Sequence, residues 1–181
     1  MSADNIFTRR KTLDFKDLIR LGYDEYLDDL KDHLSGLTPE ERRFQPTPES
    51  NHVDFIVWHM ARVEDDFVQR FAQQRDTVWQ RDNWHGKMGL PEKESGFRYT
   101  VEQVAEFPPF DMDEMLAYYD AVRVETYKFL DSISEADLAV RPHPRRPEYS
   151  LANMFSHLLV EESQHVGHVA YIRGIQRGIE E

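Results

Sequence analysis

The chain has no cysteine. That absence removes disulfides, cysteine-ligated zinc and a protein thiol nucleophile together. Long apolar runs are also missing: none approaches the roughly 18 residues that a membrane-spanning helix needs. Positive charge is scarce, with 22 Lys and Arg against 34 Asp and Glu, a net −12 with His neutral. Such a chain repels phosphate backbones, so no nucleic-acid partner is expected. The one compact basic stretch, Arg141 to Arg146, is short and proline-bearing. The opening MSADNIFTRRK has no apolar signal core, and a cytoplasmic location is the expectation. Strand signals are few: nothing alternates with period two over more than about four residues. A length of 181 residues suits one domain, 1–181.

What the chain does have is helical periodicity. Phe15, Ile19, Tyr23, Tyr26, Leu30, Leu34 and Leu37 recur at steps of three and four, an apolar stripe that stops at Ser35-Gly36. Thr38-Pro39-Glu40-Glu41 then reads as an N-cap, a proline at the first helical position and a capping-box glutamate. A second long helix is expected from about Glu49 to about Gln73, with Ile56, Met60, Val63, Phe67 and Phe71 as its stripe. A third starts at Asp111 and carries Met112, Met115, Tyr119, Val122, Thr126, Leu130 and Ile133. After a short capped turn at Ser134 to Asp137, Ser150 caps a fourth helix running to about Arg177. The expectation is an all-α four-helix bundle. Its two hairpins form a weak internal repeat that sets His59 against His157. Residues 73–110 make a long connection between helices 2 and 3, and its bland reading is a capping loop that buries Trp79 and Trp84.

The fourth helix is the informative one. On a wheel of about 100° per residue, Met154 and Ile172 centre the apolar face, and Glu161 and His165 fall only about 20° from that centre. His168 lies about 40° away and His157 about 60°. A buried carboxylate without a partner is costly. Glu161 and His165, spaced i and i+4, resolve that cost either as a buried ion pair or by meeting one bound cation. His59, at the edge of the second helix's arc and halfway along it, is the candidate third ligand. Three protein ligands leave positions open, as in catalytic metal sites. His168 and His157 are read as groups around the site that move protons near neutral pH. Glu162 to His165 also spells E-x-x-H, as in di-iron bundles, but the only other such motif is Glu49 to His52, and Glu162 points about 80° off the face.

The string His157-Leu-Leu-Val-Glu161-Glu-Ser-Gln-His165-Val-Gly167-His168 resembles the last helix of the DinB/YfiT-like metal-binding bundles. The segment Trp79 to Pro91 is similar to the long connection of a DinB subgroup. His59, Glu161 and His165 fall on the places of that superfamily's ligands, and the branch related to mycothiol-dependent maleylpyruvate isomerase also uses Glu there. The resemblance implies an up-down-down-up bundle, a divalent ion, Zn or Ni, and homodimers. It further implies a thiol-dependent S-transferase that joins a low-molecular-weight thiol, such as mycothiol or bacillithiol, to a small electrophile through a metal-bound thiolate. A metal-dependent hydrolase and a non-enzymatic stress-related binding module remain the alternatives. If the substrate is anionic, Arg62, Arg173 or Arg81 is the expected cation at the mouth.

Overall fold

The computed structural model describes residues 13–178. They are all-helical, without a strand among the described residues. Helix α1 spans Phe15–Leu34, α2 Pro39–Arg42 and α3 Val53–Asp65, which continues as a π-helical segment Asp66–Ala72. The connection from residue 73 holds three short helices: α4 (Val78–Arg81), α5 (Trp84–Met88) and α6 (Val101–Ala105). Then follow α7, Met112–Ser132, a 3-10 turn at Ala136–Ala139, and α8, Leu151–Arg177. The long helices pack on one another, α1 against α8 and α7, and α3 against α7 and α8.

Local chemistry sets the helix starts. Asp111 accepts from the Glu114 amide to cap α7, and Ser150 forms a reciprocal box with Asn153 at α8. Thr38 and Glu41 do the same at α2. Each such cap contributes about 1 kcal/mol. The expected start of the second helix near Glu49 is corrected to Val53. His52 is its cap, and its Nδ1 accepts from the Phe55 amide. The other ring nitrogen of His52 is bonded to the Val104 carbonyl, so this second E-x-x-H has no nitrogen left for a metal.

Helix α3 is the centre of the molecule. Every residue from Val53 to Asp65 is buried except His59. Two of its polar side chains and its capping histidine grip the connection 73–110 by its backbone. Asp65 accepts from the amides of Val78 and Trp79, Arg62 donates to the Glu94 carbonyl, and His52 bonds Val104. Trp79 is fully buried against Tyr118, and Trp84 packs half-buried on the same ring. The connection thus covers the core, as the bland reading expects.

A second polar cluster fixes α3 against α1 and α7. Glu64, fully buried, accepts from Arg123 Nε at 3.1 Å and Nη2 at 3.0 Å. It also accepts from Thr126 at 2.7 Å and Tyr26 at 3.1 Å. Arg123 in turn donates to the Tyr23 carbonyl at 2.6 Å. Every polar atom of this buried carboxylate is therefore satisfied, which is the condition for tolerating charge in a core.

The wheel for α8 needs one correction. Its buried side is Leu151, Met154, Phe155, Leu158, Glu162, Val166, Val169 and Ile172. Glu162, placed off the face by the sequence, is fully buried with Tyr119 donating to it. Burial pushes its carboxyl well above the usual range. Glu161 and His165 sit beside that face, half-buried. The helix turns one side to the core and the adjoining side to a cavity, and counting His and apolar residues together merges the two.

Candidate metal centre

Helix α3 supplies His59 and α8 supplies Glu161 and His165. One ligand atom from each lies within 4.8 Å of the others. His59 Nε2 stands 3.8 Å from Glu161 Oε1. The His59 and His165 rings are perpendicular, with centroids 5.3 Å apart. The sequence-expected trio is thus brought together, and through Glu161 it borders a cavity of about 660 Å³ that His157 also lines.

The orientation of His59 is fixed from behind. Its Nδ1 is hydrogen-bonded to the Ser95 carbonyl, which can only accept, so the proton is on Nδ1. Its ring also lies parallel to Phe55, with centroids 6.0 Å apart. In the neutral imidazole, Nε2 then carries a lone pair aimed at a carboxylate oxygen. This carbonyl–imidazole pairing is the arrangement that sets tautomer and ring angle in metal-ligating histidines.

The electrostatics fit a cation. The Glu161 carboxyl is raised by burial, but the His59 contact and the charges of His157, His59 and His165 outweigh this and hold it below its ordinary value. Burial, then the neighbouring His59, depresses His165 to about 4, so this imidazole is neutral at pH 7. Its Nδ1 is buried without a hydrogen-bond partner. Two imidazoles and a carboxylate are a donor set for a borderline divalent ion.

The two proton-moving candidates occupy different places. His157 Nε2 is 2.8 Å from Glu161 Oε2, and its ring stacks on Phe67 at 5.3 Å. His168 is exposed and outside the cavity lining, with its ring 5.6 Å from that of His165. None of the expected mouth cations lines the cavity. Arg62 is buried and bonded to Tyr118 and Glu94, Arg81 pairs with Asp82, and Arg173 donates to the carbonyls of His33 and Ser35. The cations that do line it are Arg70, Lys93, Arg98, Arg145 and Arg146. Sequence reasoning missed these and Ser95. Arg145 and Arg146 lie in the basic stretch that composition had flagged, and Ser95 acts through a backbone atom that no residue pattern marks.

Comparison with known proteins agrees with this architecture. A crystal structure of a conserved protein from Enterococcus faecalis superposes with a TM-score of 0.81 at 20% identity, over 93% of this chain and all of that one. At that identity the likeness speaks for the fold. No curated protein matches the sequence. The mycothiol-S-transferase family matches residues 22–178. The chain therefore belongs to the mycothiol-S-transferase family, a thiol transferase lineage within the DinB/YfiT-like four-helix-bundle superfamily.

Proposed function

We propose that this chain transfers the sulfur of mycothiol to a small electrophile at a divalent ion held by His59, Glu161 and His165. The observation that carries the reading is the His59 geometry. A backbone carbonyl accepts from Nδ1, and Nε2 is left 3.8 Å from a Glu161 oxygen with the His165 imidazole beside it. Bound there, Zn or Ni would favour the thiolate over the thiol, as metal coordination does for thiols generally. The chain's own residues supply the rest. Ser95 and Phe55 fix the His59 ring. Phe67 backs the His157 ring; in this reading Nε2, when it carries no proton, takes the thiol proton as the sulfur–carbon bond forms, donates it as an N–H to the second oxygen of Glu161, and then releases it to the medium. His168, on the solvent side of His165, is the second proton carrier of this reading.

The same reading takes the long helices as an up-down-down-up bundle forming one domain over 1–181, cytoplasmic and homodimeric. No helix among the described residues is long and apolar enough to cross a membrane. Trp79 is used inside the chain, while Phe97 is 66% exposed. The test is thiol conjugation followed chromatographically. Wild type with mycothiol should form the thioether of a reactive aryl chloride well above the uncatalysed rate, and His59→Ala and Glu161→Ala should not. Ester or amide turnover that needs no thiol would make the chain a hydrolase instead.

A further inference from the structure

The cavity above the metal centre has the wrong charge for the molecule that contains it. The chain is at −12, yet five of the side chains lining this one cavity are cationic against three carboxylates. Those three carboxylates are already engaged. Asp66 faces Arg62 and Arg70, Glu94 accepts from Tyr99, and Glu161 belongs to the centre. Among the described residues, four of the cations, Lys93, Arg98, Arg145 and Arg146, have no carboxylate within ion-pair distance. In an acidic protein, unpaired cations gathered round one concavity mark where an anion is drawn in.

The basic turn is built into the cavity rather than hung over it. His143 is buried and packs on Phe71, with ring centroids 4.3 Å apart. Its Nδ1 accepts from the Arg145 amide at 3.2 Å, and its carbonyl from the Arg146 amide at 3.3 Å. Arg145 lies over the Phe71 ring at 5.9 Å. Beside these charges, Phe67 and Phe71 offer flat apolar surface on the π-helical segment, a conformation that recurs at functional sites. Mycothiol does not account for the cations. Its amine and its carboxyl are both capped in amide bonds, so apart from sulfur it brings no negative charge.

We propose that the second substrate is an anionic electrophile with a planar apolar body, its carboxylate or sulfonate held by Lys93, Arg98, Arg145 and Arg146 and its body by Phe67 and Phe71. The inference rests on the thiol-transfer reading above for the reaction, but not for the binding. With an aryl chloride, the mycothiol sulfur forms the C–S bond, chloride leaves with the electron pair of the C–Cl bond, and the thiol proton passes to the medium.

The probes are 4-chloro-3,5-dinitrobenzoate and its neutral methyl ester, each rate divided by its own uncatalysed rate. The wild-type enzyme should prefer the benzoate about tenfold in kcat/KM at low salt, through KM, and the preference should shrink as salt screens the charges. Arg145→Gln/Arg146→Gln should bring the ratio toward one. Lys31→Gln/Lys128→Gln removes the same charge far from the cavity and should leave the ratio as it is. Equal ratios in all three proteins, with thioether still forming, would overturn the anion site and leave the thiol-transfer reading standing. If neither probe is conjugated, calorimetry with 3,5-dinitrobenzoate and no thiol still decides. Binding that weakens about tenfold in the cavity variant supports the anion site, and binding equal in the two double variants refutes it.

Discussion

Gly96 joins the fold to the site. Its φ is +79°, and a Cβ there would lie 2.9 Å from Phe55 Cζ and 3.0 Å from Trp58 Cζ3. The residue before it provides the carbonyl that holds His59. Gly96→Ala therefore meets two costs. The left-handed conformation costs alanine about 1–2 kcal/mol, and crowding two packed rings adds roughly 1–3 kcal/mol. Gly89 is the internal control, with φ +65° and nothing within 4 Å of its virtual Cβ, so Gly89→Ala meets the first cost alone. The expected relief at Gly96 is a shift of the 94–96 backbone away from α3, which takes the Ser95 carbonyl off His59. Loss of such a partner weakens a ligating histidine's metal by about 10–100-fold. The assay is Zn²⁺ affinity by competition with a chromophoric chelator, with melting temperatures alongside. Gly96→Ala should bind about 10–100-fold more weakly, and Gly89→Ala should bind like wild type while melting lower. A folded Gly96→Ala protein with wild-type Zn²⁺ affinity would refute the coupling between the connection and the centre.

Three other outcomes are expected. Arg123→Leu leaves Glu64 buried and uncompensated, at about 3–5 kcal/mol, or roughly 6–20 °C in melting temperature for a chain of this size. Adding Glu64→Leu to it should recover part of the loss, and a double variant less stable than Arg123→Leu alone would count against a charge-based cause. His52, depressed from 6.5 to about 4 by burial and by the charge of Arg43, resists protonation when folded but not when unfolded. Acidification from about 6.5 to about 4 should therefore cost on the order of 3 kcal/mol of stability, and denaturant titrations of His52→Gln should lack that part of the pH slope.

How far the sequence reveals this molecule depends on whether a signal is local. The caps at Thr38, Asp111 and Ser150 are legible because a side chain and an amide three residues on make the whole device. The start of α3 is misread by four residues because its cap is a histidine, outside the usual Ser, Thr, Asp and Asn set. Helices α4, α5 and α6 are four or five residues long, too short to show a full apolar period. His59, Glu161 and His165 are legible because each sits at helical spacing along the border of an apolar stripe, where a charged or imidazole side chain stands out. Glu162 is not, since a carboxylate that Tyr119 bonds inside the core looks like any outward glutamate on a wheel. Arg145 and Arg146 are visible as charge, but only the packing of His143 on Phe71 turns them into the cavity.

The central claim is that these three side chains hold an ion. Its direct test is elemental analysis of the untagged protein, wild type beside His165→Ala, after incubation with divalent ions and removal of excess. The account predicts about one Zn or Ni per wild-type chain, lost in the variant while the helical circular-dichroism signal is kept. A wild-type chain that retains no divalent metal, or a His165→Ala chain that retains as much as wild type, would contradict it.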